Sequence, residues 1–358
     1  MIRWRRGTVL TLGRRWPGSV ELTVEVGGTV LPALAHPALV GEPVPGDAVL
    51  LNVGALEREL GTGGYALVVA LPDRLPPDAD TPGHLIKARY TPMQVLVQGA
   101  DEQGSEHHDL LADDRPLPGT PVVVAGLHSS LPAVLAGLGP GPRVAYVMTD
   151  GGALPLWFSR TVAGLAARLA GTVTVGQAFG GDLECVTLHS GLLAAVRVLR
   201  ADVVVVTQGP GNLGTGTTWG FSGVATGEAV NAAAAVGGRP VGVLRVSSVD
   251  PRPRHRGLSH HSVTAYGRVA LAAADLPVPR GLAVDPQLFP RHRLVEVDPD
   301  GLLDALRASP VPLSTMGRSL AEDEIAFVVA AAAGRHAAGL LDDAPTGAAP
   351  PDRGGRTS

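Results

Sequence analysis

Three histidines, two arginines and two serines crowd into nine residues of this chain, Arg254-His255-Arg256-Gly257-Leu258-Ser259-His260-His261-Ser262. Imidazole ordinarily titrates close to neutrality, so it suits proton transfer and metal binding. Adjacent histidines on a helix diverge by about 100° and rarely share one ion, but in a loop or a first helical turn they can converge. His260 or His261 is expected to serve as general acid/base or metal ligand, with Asp150, Asp182 or Asp250 as its partner. Arg254 and Arg256 are expected to hold an anionic substrate. The plainer alternative is a helix capped at Ser259 that carries exposed histidines.

A second stretch with chemical potential runs from Asp202 to Gly223, DVVVVTQGPGNLGTGTTWGFSG. Its valines read as a buried strand, and its glycines and threonines as a loop that lets a ligand approach the backbone. Gly209-Pro210-Gly211-Asn212-Leu213-Gly214 is a literal G-x-G-x-x-G. A dinucleotide turn needs the helix to open at the third glycine, whereas here Thr215 to Phe221 intervene and no well-placed acidic residue follows the next strand. No lysine follows the glycines, so the P-loop pattern also fails. What survives is an anion cradle of backbone N–H groups at Gly209, Gly211, Asn212, Gly214, Thr215, Gly216 and Thr217, with threonine hydroxyls and a helix N-terminus near Ser222. It would hold a phosphate, a carboxylate or a developing oxyanion. The alternative is a tight connection that needs positive φ and close strand–helix packing.

Weaker signals complete the inventory. His128-Ser129-Ser130 offers a hydroxyl nucleophile with His128 beside it, but lacks the G-x-S-x-G elbow. Cys185 is read at the opening of a helix, where the dipole lowers a thiol pKa, though a buried small hydrophobe is the simpler reading. His107 and His108 lie in an acidic loop and read as solvated.

These residues need elements to position them. From Pro121 onward, apolar runs at Val122–Ala125, Val144–Met148, Thr172–Val175, Val203–Thr207 and Val241–Val246 alternate with helical segments at Leu131–Leu138, Ser159–Leu169, Glu184–Leu199, Ser222–Val236 and Ser262–Ala273. Strand Arg293–Val297 and a helix over Asp300 to Ala308 continue the pattern. That alternation predicts a mostly parallel sheet with helices on both faces, a Rossmann-like three-layer α/β sandwich. Ligands bind such sheets beyond the C-terminal strand ends. All five strand ends here are rich in Gly, Asp, Ser and His, so they are expected to converge on one cleft.

Residues 1–95 read as a small all-β barrel or sandwich, with the two-residue alternation of Val20, Leu22, Val24 and Val26 as its clearest strand. Residues 96–341 form the α/β domain, and 342–358 read as a disordered tail. Ser319-Leu320-Ala321-Glu322 has the form of a capping box ahead of an alanine-rich last helix.

Bulk properties exclude several classes. Hydrophobic residues make up 45% of the 358, enough for a sizeable core. A net charge of −4 gives no footprint for a nucleic-acid binder. Lys87 is the only lysine, and Cys185 the only cysteine, which rules out an intrachain disulfide. No long uninterrupted apolar run predicts a membrane span, and a cytoplasmic protein is expected.

At LHSSLP (Leu127–Pro132), YVMTDGGALPL (Tyr146–Leu156), FGGDLE (Phe179–Glu184), GFSG (Gly220–Gly223) and HRGLSHHS (His255–Ser262), the chain resembles a bacterial family known as domain of unknown function 3866. The resemblance implies a bacterial cytosolic protein and carries no activity. The residues themselves point to an enzyme acting on a small anionic, phosphate- or carboxylate-bearing metabolite by acid/base or metal-assisted hydrolysis or group transfer. A non-catalytic binding or regulatory protein and a structural interaction protein are the alternatives. A divalent metal and homo-oligomerisation stay open; no nucleic acid and no membrane partner is expected.

Overall fold

The computed structural model describes residues 2–61 and 63–342. Of the expected tail, Asp342 is the last residue of a helix and 343–358 fall outside the described residues. Five strands, β1 (Trp4–Trp16), β2 (Ser19–Val26), β3 (Thr29–Ala35), β4 (Ala48–Asn52) and β5 (Ala66–Ala70), close into a barrel in the order β1-β2-β3-β5-β4. β1 pairs antiparallel with both β2 and β4, while β3 runs parallel to β5, the connectivity of the Greek-key OB barrel. Val9, Val20, Leu22, Val24, Val49 and Leu51 fill its centre, as the alternation of β2 requires. Four N-terminal arginines are neutralised locally: Arg3 and Arg5 bond Glu57, Arg6 bonds Asp73 and Arg15 bonds Glu42. A single helical turn, α1 (Pro37–Val40), joins β3 to β4.

The segment Leu85 to Val97 folds back on itself as an antiparallel hairpin, β6 (Leu85–Lys87) and β7 (Val95–Val97). Lys87 is buried, donates to the carbonyls of Ala178 (3.0 Å) and Cys185 (2.8 Å), and lies 3.5 Å from Glu184. The turn α2 (His108–Leu111) follows.

The second sheet has eight strands, all parallel: β8 (Pro121–Ala125), β9 (Val144–Thr149), β10 (Gly171–Thr174), β11 (Leu183–Glu184), β12 (Val203–Gln208), β13 (Arg239–Val243), β16 (Asp275–Pro279) and β17 (Arg293–Val297). Two short pairs lie outside it, β14 (Val246–Ser247) with β15 (Gly257–Leu258), and β18 (Ser314–Thr315) with β19 (Arg318–Ser319). The spatial order is β11-β10-β9-β12-β8-β13-β16-β17. The chain leaves β8 in one direction and β12 in the other, which makes the β12/β8/β13 region the topological switch where a crevice opens.

Alternate residues of each strand feed opposite faces. Val123 and Ala125 meet α3 (Leu131–Leu138), α4 (Arg160–Leu165), α8 (Leu302–Arg307) and α9 (Glu324–Asp342). Val122 and Val124 meet the other layer, α5 (Leu188–Arg197), α6 (Ala225–Ala235) and the segment after α7 (His260–Thr264). The mixed barrel and three-layer α/β architecture is therefore as the sequence predicts. Helices α3 and α9 cross at glycine: a methyl group at Gly137 would overlap the Ala331 carbonyl, and one at Gly334 the Val134 carbonyl. Among the described residues α9 alone is long and apolar enough to cross a membrane, and more than half of its apolar window is buried inside the protein.

Several local expectations change. β16 has no counterpart in the sequence reading because Pro277 and Pro279 remove two donors; its ladder to β13 shrinks to Val241↔Asp275, while β17 pairs with it along its length. The helix expected from Glu184 starts at Leu188, capped by Thr187, and Leu183–Glu184 is an edge strand instead. Cys185 thus precedes the helix, fully buried, and burial pushes its thiol up to about 12. The helix expected over Ser262–Ala273 starts at His260 and loosens into a π turn over Ala265–Val269. Glu322 does accept from the backbone and hydroxyl of Ser319, but this closes a turn just ahead of α9, which begins at Glu324.

The barrel joins the α/β unit at Trp157. Its carbonyl accepts from Trp16 Nε1 (2.7 Å) and Ser19 Oγ (2.8 Å), and its ring lies edge-on to Phe179. Gly18 is left bare by necessity, because a Cβ there would collide with the Trp157 ring.

Candidate functional site

A cavity opens beyond the C-terminal ends of β8 and β13. Gly126, Leu127, Ser129 and Ser130 form one wall, Val243 to Ser247 another, and Phe221, His261 and Thr315 close the sides. Three of the five expected strand-end segments meet there: those after β8, β12 and β13. Local chemistry explains each. The Gly126 carbonyl and the Asn212 side chain both accept from Gln208 Nε2 at 2.9 Å, which ties the end of β8 to the glycine loop. Ser262 Oγ accepts from the Arg245 backbone N–H (2.8 Å), pinning the start of α7 to the end of β13.

Arg245 is the most telling residue of the cavity. Its guanidinium is partly buried, and its one hydrogen bond among the described residues runs to His261 Nδ1, at 3.1 Å. Burial, reinforced by the neighbouring Arg252, pulls its pKa down to about 10. Asp250, the acid that acts on it, is already committed: Arg252 and Arg318 reach its carboxylate at 2.8 and 3.2 Å and hold it well below the usual carboxylate range. Arg318 is shared with Asp323, which also accepts from Ser247 and Ser248. A buried cation without a carboxylate of its own is costly, and an incoming anion removes that cost.

The histidines gather beside it. Ser259 caps α7 by accepting from the His261 N–H, the cap of the plainer alternative, and its Oγ also lies 2.7 Å from His255 Nδ1. The ring centroids of His255, His260 and His261 are 4.4, 4.7 and 5.0 Å apart, so the helix start brings them together rather than splaying them into solvent. His261 stacks on Phe221, 3.7 Å between centroids and 3° from parallel. Burial, with Arg245 adding repulsion, lowers His255 to about 4 and His261 to about 3, and burial with Arg254 lowers His260. At neutral pH all three are neutral imidazoles, able to accept a proton or a metal ion.

The remaining candidates lie elsewhere. Gly209 is buried against the Gly152–Ala153 backbone, where neither glycine has room for a Cβ. Gly211 and Gly216 have positive φ, and Gly214 bridges to Phe221. The loop beyond them is exposed, and its hydroxyls bond inward: Thr215 Oγ1 meets Thr217 Oγ1 at 3.1 Å, and Gly220 N donates to Thr217. Asn212 accepts from Gln208 and Ser222. Gly216 sits against the Arg254 guanidinium, so the loop and the histidine segment do touch. Arg256 donates to the Asp250 carbonyl. Asp150 is exposed and accepts from Gln177 N (2.8 Å). Asp182 is exposed and accepts from the backbone and hydroxyl of Thr172. Neither acid lines the cavity. Arg245 and Phe221 were not singled out from the sequence; a lone arginine between Leu244 and Val246 at the end of an apolar strand was the available signal.

His128 faces the core, between the Tyr146 hydroxyl (3.0 Å) and Ser159 Oγ (2.7 Å). Burial lowers it from 6.5 to about 4. Between those values the unfolded chain binds a proton that the folded one refuses, so its share of stability is intact above pH 6.5 and drains away as pH falls toward 4. At 1.36 kcal/mol per unit this amounts to about 3 kcal/mol. Urea midpoints measured across that range are expected to fall less steeply in His128→Gln than in the native chain; equal slopes would exclude this role.

Fold and site together define an α/β protein with an attached Greek-key barrel and a basic cavity, His261 in its wall, at the switch point of its parallel sheet. The chain belongs to the family described as Protein of unknown function (DUF3866), whose profile matches residues 32–334. No curated protein and no solved structure matches it.

Proposed function

We propose that the cavity binds a small phosphate- or carboxylate-bearing metabolite and that the protein acts on it by hydrolysis or group transfer. The observation that carries this reading is Arg245, a partly buried guanidinium paired with no acid among the described residues, aimed at the same space as an uncharged histidine. Arg245 would take the anion, Arg254 and the glycine loop over Gly216 would cover it, and His261 or His260 would accept or deliver the proton. A bacterial, cytoplasmic setting goes with this reading, and the lone buried cysteine fits a reducing compartment. No nucleic-acid or membrane partner enters this reading. The same cavity serves binding without turnover as a second reading, favoured by two observations: the loop threonines bond to one another, and Asp150 and Asp182 stand outside the cavity.

A thermal-shift series tests the proposal. Inorganic phosphate, sugar phosphates, nucleoside monophosphates and short dicarboxylates are expected to raise the melting temperature where their neutral alcohol counterparts do not. Stabilisation at ~100 times Kd would be about 2.7 kcal/mol. Phosphatase, esterase and nucleotidase assays on the stabilising compounds then separate an enzyme from a binding protein. If no anion stabilises the fold, the proposal fails.

A further inference from the structure

The three gathered imidazoles are arranged for more than proton transfer. One nitrogen from each of His255, His260 and His261 lies within 4.8 Å of the other two. His260 Nε2 is buried and has no hydrogen-bond partner among the described residues. An orphaned buried nitrogen costs about 1–3 kcal/mol, a cost that vanishes when its lone pair finds a ligand. The Ser259 hydroxyl holds His255 at Nδ1, leaving Nε2 for a ligand, and fixes the ring as outer partners of metal-bound histidines do. The same hydroxyl anchors the helix start that carries His260 and His261. The ring of His255 and the helix start therefore both depend on one serine.

We propose that His255, His260 and His261 bind one divalent transition metal of the zinc or cobalt type, with a further coordination position left open toward the cavity. An all-imidazole donor set suits these ions and not magnesium or calcium. Metal–nitrogen bonds of about 2.0–2.1 Å place tetrahedral ligands roughly 3.3 Å apart, so the rings close inward by about 1 Å on binding. A metal at His261 Nδ1 would take the place Arg245 holds there and turn the guanidinium toward the anion. The arginines around the site repel a bare cation, and an anion bound in the fourth position relieves that repulsion. Metal and anion should consequently bind with positive cooperativity. This last step rests on the anion reading; metal uptake does not.

Cobalt(II) titrated into the full chain is expected to bind at one equivalent, with the visible absorption of a tetrahedral site, and zinc is expected to displace it. His255→Ala and His260→Gln should each lower cobalt affinity at least ~10-fold, with folding checked by circular dichroism. If His255→Ala does not fold, His260→Gln carries the test, because its Nε2 gives up no hydrogen bond. Sulfate should tighten cobalt binding at least ~5-fold in the native chain and not in Arg245→Gln. Absence of stoichiometric uptake, or uptake that survives the histidine substitutions, overturns the metal site. Uptake that is lost in the histidine variants yet indifferent to sulfate supports the metal site and overturns the anion reading.

Discussion

Arg245→Gln is expected to weaken anion binding at least ~30-fold while leaving the protein as stable as before, or more so. Removing one partner of a buried charge pair costs about 2–5 kcal/mol of binding, and each 1.4 kcal/mol is tenfold in affinity. The stability half of the prediction follows from the arginine's surroundings. In the free protein the guanidinium is partly desolvated, has His261 as its one hydrogen-bond acceptor among the described residues, and is repelled by Arg252. Glutamine keeps a donor for His261 and discards the charge, so it removes a cost from the folded state. Arg245→Lys should fall between the two, because an ammonium keeps the charge but lacks the guanidinium fork. Calorimetric titration with phosphate and urea denaturation of the same three proteins read the two halves separately. A loss of affinity accompanied by an equal loss of stability would mean that Arg245 is a structural residue and not a receptor.

The second large effect is a reversal of sign within one helix. Gly334→Ala is expected to destabilise the fold by about 3 kcal/mol, and Gly339→Ala to stabilise it by up to about 1 kcal/mol. Both glycines lie on α9 and the substitution is identical. At Gly334 the new methyl would run into the Val134 carbonyl and the Leu138 N–H, which are backbone atoms of α3 that can yield only if the two helices separate. At Gly339 it meets nothing within 4 Å, and alanine gains its ordinary advantage in helix propensity. Gly137→Ala on α3 should repeat the Gly334 result from the other side, against Ala331. Melting temperatures of the three variants decide it: if Gly334→Ala and Gly339→Ala shift in the same direction, the close backbone crossing of α3 and α9 is excluded.

These two cases also mark where sequence is transparent and where it is not. Runs such as Val203 to Val206 announce buried parallel strands because each residue on both faces is apolar, and Ser259 announces a helix start because its hydroxyl is placed to take an orphan N–H. The barrel is legible for the same reason, from the two-residue period of β2. The pairing of Gly137 with Gly334 leaves no local trace, since glycine in a helix looks like a defect until the partner helix is present. β16 hides behind Pro277 and Pro279, whose effect depends on which neighbour their missing donors face. At the site, the histidine cluster and its arginines could be read from spacing alone. The location of Asp150 and Asp182 could not, because both follow sheet strands yet spend their oxygens on nearby backbone N–H groups, those of Gln177 and Thr172. His128 looked like a partner for a serine nucleophile, but its ring is claimed by Tyr146, a long-range contact.

The seat of Lys87 beneath the β6–β7 hairpin has a practical consequence. The chain's only lysine side chain and its only thiol share one enclosure, the amine bonded to the carbonyl of Cys185 itself. In the closed protein neither is accessible to reagents, at 2% and 0% exposure. Any excursion that lifts the hairpin uncovers both at once. Acylation of the amine and alkylation of the thiol are unrelated reactions with different intrinsic rates, so agreement between the opening rates they report identifies one shared event. The molecule thus carries a two-colour clock for its own breathing, with no label added.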